Sequence, residues 1–452
     1  MTDLGLNRVL GLSAVTFVAV GFMIGGGVFV FTGLVLKIAG PALPLAYALA
    51  VIPVFISMMP LAMLGSALPT TGANYRYPSR MVSPGLAFVG VWVYLLASFF
   101  GQIPLYALSC ARYLQVVWPG LPELPFALIL VTFFFAVNFF GVRLAVQVQA
   151  VLVVILIAAL LYYVALGLPA LETANFGDPF RKGAGGLLLG TALLTFTYFG
   201  ANGIIEIGGE IVNPGQTLPR AFFISFAVVA VIYVAVSLAT VGAVPFDVLA
   251  GFEEPLIGVV RKTAGPAGYW FFIIGGAVLA LVTTLHALFL VGTRSLLMVV
   301  HDGLFPAFLG RVHPRFHTPH ILLAVIWLLS LMGIALRPPL ETLASYAALG
   351  GLIIFLPVQI AALRLPRKYP ERYERAGFKL TGFWFWFCPV VGVLMVVFFG
   401  MILVYDLKTP GKIGAFLLFI VSGLVYYLWR KRRLAARGVD LDRMTQADDW
   451  SG

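Results

Sequence analysis

The sequence predicts an all-α polytopic membrane protein with about twelve transmembrane helices, and three observations carry that reading. Of its 452 residues, 61% are hydrophobic and only 10% charged, against the roughly 25% charge of an ordinary soluble domain. Mean hydropathy is +1.02. Apolar runs of the roughly 20 residues that a spanning helix needs recur along almost the whole chain. So little charge cannot cover a water-facing surface, which excludes a soluble enzyme.

The apolar segments run 13–38, 42–66, 84–117, 123–140, 144–167, 186–211, 220–245, 267–300, 320–336, 341–362, 382–405 and 411–429. The first begins near Ser13 and reads as a retained helix, not a cleaved signal. It is interrupted by Gly25-Gly26-Gly27, and three glycines cost a helix interior roughly 3 kcal/mol relative to alanine. Such backbone survives at membrane depth only where it lines a cavity or is buried in protein. A close helix–helix contact would call for spaced small residues instead. Segment 6 is interrupted in the same way at Gly200-Ala201-Asn202-Gly203, with Gly208-Gly209 beyond.

Segments 1 and 6 open two five-segment halves, 13–167 and 186–362, of one expected domain. Interrupted helices at matching positions point to an inverted-repeat transporter with its site at the bilayer midplane. Two further helices, 382–429, and a basic tail, 430–452, complete the expected organisation. With the N-terminus cytoplasmic, 20 of the 29 Lys and Arg fall inside and the other 9 outside. That split favours a multi-pass protein of the cytoplasmic membrane with both termini in the cytoplasm. Because the bases sit in short connections, the net charge of +11 does not imply a nucleic-acid partner. Arg430-Lys431-Arg432-Arg433 would anchor at the inner leaflet. Cys110 and Cys388 lie in apolar text and imply neither a disulfide nor a metal set.

An unwound helix exposes free N–H groups on one half-helix and free C=O groups on the other. The first suits a carboxylate, the second an ammonium or a metal cation. One zwitterion satisfies both, so a free amino acid or close relative is the natural ligand, with the lipid bilayer as the other partner.

Five motifs then carry a resemblance. They are Gly21-x-Met23-Ile24-Gly25-x-Gly27-Val28-Phe29; Pro69-x-x-Gly72-Ala73-x-Tyr75-x-Tyr77; Phe196-x-Tyr198-x-Gly200 with Glu210-x-x-Asn213-Pro214; Asn175-Phe176 with Pro179-Phe180; and Asp302-Gly303-Leu304-Phe305-Pro306 with Val312-His313-Pro314-Arg315. Together the chain resembles the amino acid–polyamine–organocation superfamily, most closely its cationic amino acid transporter type. The resemblance implies a LeuT-type fold, a 5+5 inverted repeat with helices 1 and 6 broken and helices 11 and 12 peripheral. It also implies secondary transport of amino acids, including cationic ones, by alternating access as a symporter or exchanger. Asn202 departs from the acidic residue usual after the Gly200 break. Leu156 stands where proton-coupled relatives carry a lysine.

The expected substrate contacts are the backbone of Ile24, Gly25, Gly26, Gly27 and Gly200, with Asn202 capping the break and Tyr106, Tyr198 and Gln102 lining the site. Glu206, an ionisable residue at membrane depth, is a functional candidate by default. It would bind a cationic side chain or carry a coupling proton, or else be a buried structural acid. Thr283 and Thr284 resemble the hydroxyl pair of sodium-coupled LeuT-type proteins, with carbonyls corresponding to Gly21, Ile24 and Ala280; back-bonding within the helix is the ordinary alternative. Sodium or a proton is thus the candidate coupling ion, and no cofactor is expected. Glu210 is expected to pair with Arg76, Arg80 or Arg220, as an inner gate or a static surface pair. His286 reads as a packing residue, and His301, His313, His317 and His320 as part of a structural turn. Rival classes are an amino-acid sensor without net flux, a membrane-embedded enzyme and, last, a channel.

Overall fold

A computed structural model describes residues 8–116, 118–252, 254–406, 410–446 and 450. Residues 447–449 and 451–452 of the expected basic tail lie outside the described residues. Each expected apolar segment contains a helix. The first is divided into α1 (Leu12–Met23) and α2 (Gly27–Ala39), and the second is α3 (Leu43–Ala67). A helix of 9 residues, α4 (Ala73–Met81), lies in the next connection. The third segment is α5 (Pro84–Tyr94) and α6 (Ile103–Gln115), joined by a π-helical stretch, Leu95–Gln102. Then come α7 (Glu123–Phe139), α8 (Val142–Gly167), α9 (Gly183–Tyr198) and α10 (Pro214–Ala243). After the short α11 (Phe246–Leu249), α12 (Pro255–Thr263) is again 9 residues long. The eighth segment, α13 (Pro266–Phe272) and α14 (Leu279–His301), also contains a π stretch, Ile273–Val278. The chain ends with α15 (His320–Leu336), α16 (Leu340–Lys368), α17 (Pro370–Glu374), α18 (Gly382–Asp406), α19 (Pro410–Ala435) and α20 (Leu441–Gln446).

Among the described residues, 9 helices are long and apolar enough to cross a membrane; Leu12–Met23, Glu123–Phe139 and His320–Leu336 are apolar but shorter. No strand is formed among these residues, only isolated bridges at Leu10–Ile211 and Thr71–Ile207. The fold is therefore all-helical and polytopic.

Burial separates a mast from a periphery. Every residue of α14 from Ala280 to Val300 is buried, the polar Thr283, Thr284, His286, Arg294 and Ser295 included. By contrast, α18 and α19 expose Phe383, Trp384, Leu394, Leu418 and Val425, the outward apolar surface suited to lipid. α10 begins six residues before the expected segment because Asn213, at φ 48, turns the chain and Pro214 takes the first helical position, where its missing N–H costs nothing.

Candidate functional site

The glycine interruptions shape the local backbone directly. α1 stops at Met23 because Ile24 leaves helical geometry (φ −78, ψ 73) while its N–H still bonds Val20 O at 2.8 Å. Gly25 N–H bonds Met23 O at 2.8 Å, and α2 starts at Gly27. The first-turn N–H groups of a helix have no partner within it; Val28 N–H bonds Gly25 O at 3.3 Å, and the other first-turn amides of α2 are the donors at the break. On the other side, α9 ends at Tyr198, Phe199 is extended, and Gly200 adopts φ 128. A side chain there would be strained, and its Cβ would lie 2.6 Å from Phe22 O.

Beyond Gly200 the chain does not resume an α-helix. It runs as 3₁₀ turns, Ala201–Glu206 and Gly208–Glu210, until α10. Asn202 Oδ1 accepts the Gly200 N–H at 3.1 Å, and Gly203 N–H bonds Gly200 O at 2.9 Å. The Tyr233 hydroxyl of α10 lies 2.9 Å from Met23 O and 3.3 Å from Thr197 O. One donor thus holds the carbonyl ends of both interrupted helices.

Between the breaks is a cavity of about 100 Å³, several times the ~10–15 Å³ that one water needs. Gly25, Gly27, Tyr106, Gly200, Asn202 and Glu206 line it, as does Gln102, whose Nε2 donates to Tyr106 Oη at 2.9 Å. Its apolar wall includes Phe196, Phe199, Leu288, Val291, Leu352 and Ile354. Ile24, Gly26 and Tyr198 are not on its wall. A Cβ at Gly26 would meet Leu281 at 2.3 Å. Tyr198 donates to Tyr47 O at 3.1 Å and packs its ring on Tyr233. Phe196 and Thr197 of the last turn of α9 face the cavity, Tyr198 points away from it, and Phe199, already extended, returns to the wall.

Glu206 is 3% exposed and its polar atoms are engaged. Oε1 accepts the Asn74 N–H at 2.7 Å, Oε2 accepts the Ser295 hydroxyl at 2.5 Å, and its carbonyl accepts the Gly72 N–H at 2.9 Å. Gly72 and Asn74 form the start of α4, so the carboxylate sits where a helix dipole favours an anion. Asn74 and Ser295 carried no sequence signal beyond being polar.

Glu210 pairs with Arg294 rather than with Arg76, Arg80 or Arg220. Arg294 Nε and Nη2 reach Oε1 and Oε2 at 2.9 and 3.2 Å, both side chains being buried. The long α14 carries Arg294 behind the 3₁₀ turn, whereas Arg220 is exposed. Arg80 instead grips both oxygens of Asp302, which also accepts the Tyr75 hydroxyl at 2.8 Å. Burial pushes the Asp302 carboxyl up, but hydrogen bonds from His301 and Arg80, the Arg80 charge and the Tyr75 hydroxyl hold it down to about 2. Arg76 donates to Thr70 Oγ1 at 2.7 Å and lies 4.2 Å from the Trp450 ring centre. Val9 and Leu10 N–H both bond Glu210 O, and Val212 N–H bonds Leu10 O. Polar contacts thus tie the start of α1, the 3₁₀ turns, α4 and α14 together at this end of the bundle.

Of the coupling-ion candidates, Thr284 Oγ1 lies 3.4 Å from Gly21 O and 3.2 Å from Ala280 O. Thr283 bonds Ala280 O of its own helix at 3.1 Å. Gln149 donates to Thr283 O at 3.2 Å and meets His286 Nδ1 at 2.8 Å. His313 Nδ1 accepts the N–H groups of Arg315 and Phe316, which makes it a turn residue. Among the described residues no three His, Cys, Asp or Glu gather as a metal set.

A family profile described as amino acid permease matches residues 10–427. A branched-chain amino acid permease of Bacillus subtilis is 27% identical over 95% of this chain and 94% of its own. The methylthioribose transporter of the same organism is 28% identical over 94% of each. A vacuolar cationic amino acid transporter of Arabidopsis thaliana is 27% identical over 80% of this chain and 64% of its own.

Proposed function

The chain belongs to the amino acid permease family, and from that premise we propose that it carries a neutral, apolar amino acid across the cytoplasmic membrane by alternating access. The family and the relatives are transporters rather than enzymes. The observation that carries the substrate proposal is the cavity between the two breaks, polar at its backbone ends and apolar along Phe196, Phe199, Leu288, Val291 and Leu352. The donors of α2 suit the ligand's carboxylate, and the carbonyl end of α9 suits its ammonium. An aliphatic side chain then faces the apolar wall. The branched-chain permease among the relatives is consistent with this assignment.

The LeuT-type arrangement, with twelve spans, two inverted five-helix halves and both termini cytoplasmic, belongs to the same proposal. Three correspondences support the repeat. The first member of each half is broken, the third contains a π stretch, and a helix of 9 residues precedes each third member.

Two finer readings have their own observations. Glu206 lines the cavity, which favours a cationic substrate if the carboxylate turns from Asn74 to the ligand. Thr284, Gly21 O and Ala280 O come together from two helices, which favours sodium there as the coupling ion.

The test is purified protein in liposomes, given a labelled amino-acid panel under separate sodium and proton gradients. Net uptake of leucine, isoleucine or valine, with arginine excluded, supports the main reading. Arginine preferred over leucine overturns the substrate class, and binding without flux turns the protein into a sensor. Sodium-independent uptake removes the Thr284 reading; sodium-driven uptake abolished by Thr284→Val sustains it.

A further inference from the structure

Two adjacent glycines of α16 meet different surroundings. A Cβ at Gly350 would lie 2.0 Å from the Ala97 Cβ and 3.3 Å from Val93 O, so glycine there lets α16 close onto α5 and the π stretch that follows it. At Gly351 no atom of the described residues lies within 4 Å of such a Cβ. Gly351 lines the cavity between the two breaks, as does Ala347, and residues four apart share a helix face.

Neither packing nor backbone conformation calls for glycine at 351. The residue lies inside α16 and has no left-handed φ. In a helix interior glycine is less favourable than every residue but proline, and no close approach of a described neighbour offsets that here. The other glycines on the cavity wall are crowded. A Cβ would meet Thr284 at 2.3 Å from Gly25, Phe22 O at 2.6 Å from Gly200, the Phe22 ring at 2.5 Å from Gly203, and Thr197 at 3.4 Å from Gly27. A side chain at 351 therefore enters the space a ligand would fill, and displaces nothing else described.

We propose that Gly351 sets the size limit of the transported side chain. On the proposed function, on which this assignment rests, the carboxylate and ammonium are held at the two breaks and the side chain runs to Gly351. The missing Cβ leaves room there for a branched chain of leucine's size. One methylene gained or lost in an apolar pocket changes discrimination about 10–200-fold, and Gly351→Ala removes about that much space.

The test compares full-length wild type, Gly351→Ala and Gly351→Val in liposomes, by competing leucine and alanine uptake beside thermal unfolding. Wild type is expected to prefer leucine. The leucine-over-alanine ratio of kcat/KM should fall about tenfold in Gly351→Ala, and further in Gly351→Val. Gly351→Ala should unfold no lower than wild type, because alanine is the better helix former, whereas Gly350→Ala, which collides with Ala97, should unfold lower. A lowered melting temperature in Gly351→Ala contradicts the open face and overturns the proposal. Equal loss of leucine and alanine uptake overturns it too, because the glycine then serves helix bending. Leucine uptake by wild type with an unchanged ratio in folded Gly351→Ala refutes the size limit alone. A wild type that takes up neither amino acid refutes the proposed function, and the size limit with it.

Discussion

Replacing Glu206 separates a substrate carboxylate from a structural one. Its two oxygens accept Asn74 N–H at 2.7 Å and Ser295 O–H at 2.5 Å. Glu206→Gln keeps an acceptor for the amide and turns an NH₂ toward the serine oxygen, so both contacts persist. What is lost is the ability to carry a charge at the start of α4, worth ~0.3–2 kcal/mol where the carboxyl is ionised. Glu206→Ala removes both acceptors and leaves two buried donors, at ~1–3 kcal/mol each. The alanine variant should therefore be the less stable by several kcal/mol.

The assay is thermal unfolding of both variants beside leucine and arginine uptake. The geometry predicts that Glu206→Gln unfolds within about 2 kcal/mol of wild type and keeps leucine uptake within about thirtyfold, the scale of a change of that size. Glu206→Ala should lose stability and uptake together. Selective loss of arginine uptake in a stable glutamine variant would show that the carboxylate serves a cationic ligand. Loss of proton-driven accumulation for every substrate, with exchange preserved, would show that it carries the proton.

Three other outcomes follow from contacts elsewhere in the structure. The nearest atoms to a Cβ at Gly27 are on Thr197 at 3.4 Å and Phe31 at 3.8 Å, ordinary contact distances, so Gly27→Ala should retain uptake and Gly27→Leu should abolish it without unfolding; wild-type affinity in a folded leucine variant would contradict the cavity. Arg294→Met leaves Glu210 buried and unpaired, at ~3–5 kcal/mol; adding Glu210→Met should restore most of the melting temperature, and no restoration would mean that the two do not act as a pair. Asp302 is held down to about 2, so its ion-pair stabilisation is complete above the ordinary carboxylate range and is lost only as pH falls toward about 2. Asp302→Asn should then destabilise at about pH 5 as well as at about pH 8, and a variant as stable as wild type at about pH 5 would refute that assignment.

What was legible in the sequence is what backbone chemistry forces. Three adjacent glycines cannot continue a helix cheaply, and both interruptions lie where the glycines stand. What was illegible depends on phase and partner. Tyr198 and Phe196 share one apolar run, and only packing decides which ring faces the cavity. Arg294 reads as one more basic residue near a connection, yet α14 carries it into the interior against Glu210. The tail reads as polar text, but Trp450 is 5% exposed and packs against Tyr77 and Arg76. Such partners are far apart in sequence, and a single chain of letters holds no distance between them.

The Glu210–Arg294 end and the broken helices are coupled through one element. Glu206 and Glu210 lie on the 3₁₀ turns that follow Gly200, and both are held by α14, through Ser295 and Arg294. Because α14 is buried from Ala280 to Val300, it is the least free to move. The 3₁₀ turns have poorer hydrogen-bond geometry than an α-helix, so they are the segment that yields. A ligand shifts such an equilibrium only by its differential affinity for the two states. On the proposed function, a zwitterion that completes the donors of α2 and the acceptors of α9 together would supply that difference, because each end alone satisfies only one of the two breaks. Substrate binding and release of the Glu210–Arg294 end would then be two consequences of how one short, weakly bonded segment is seated.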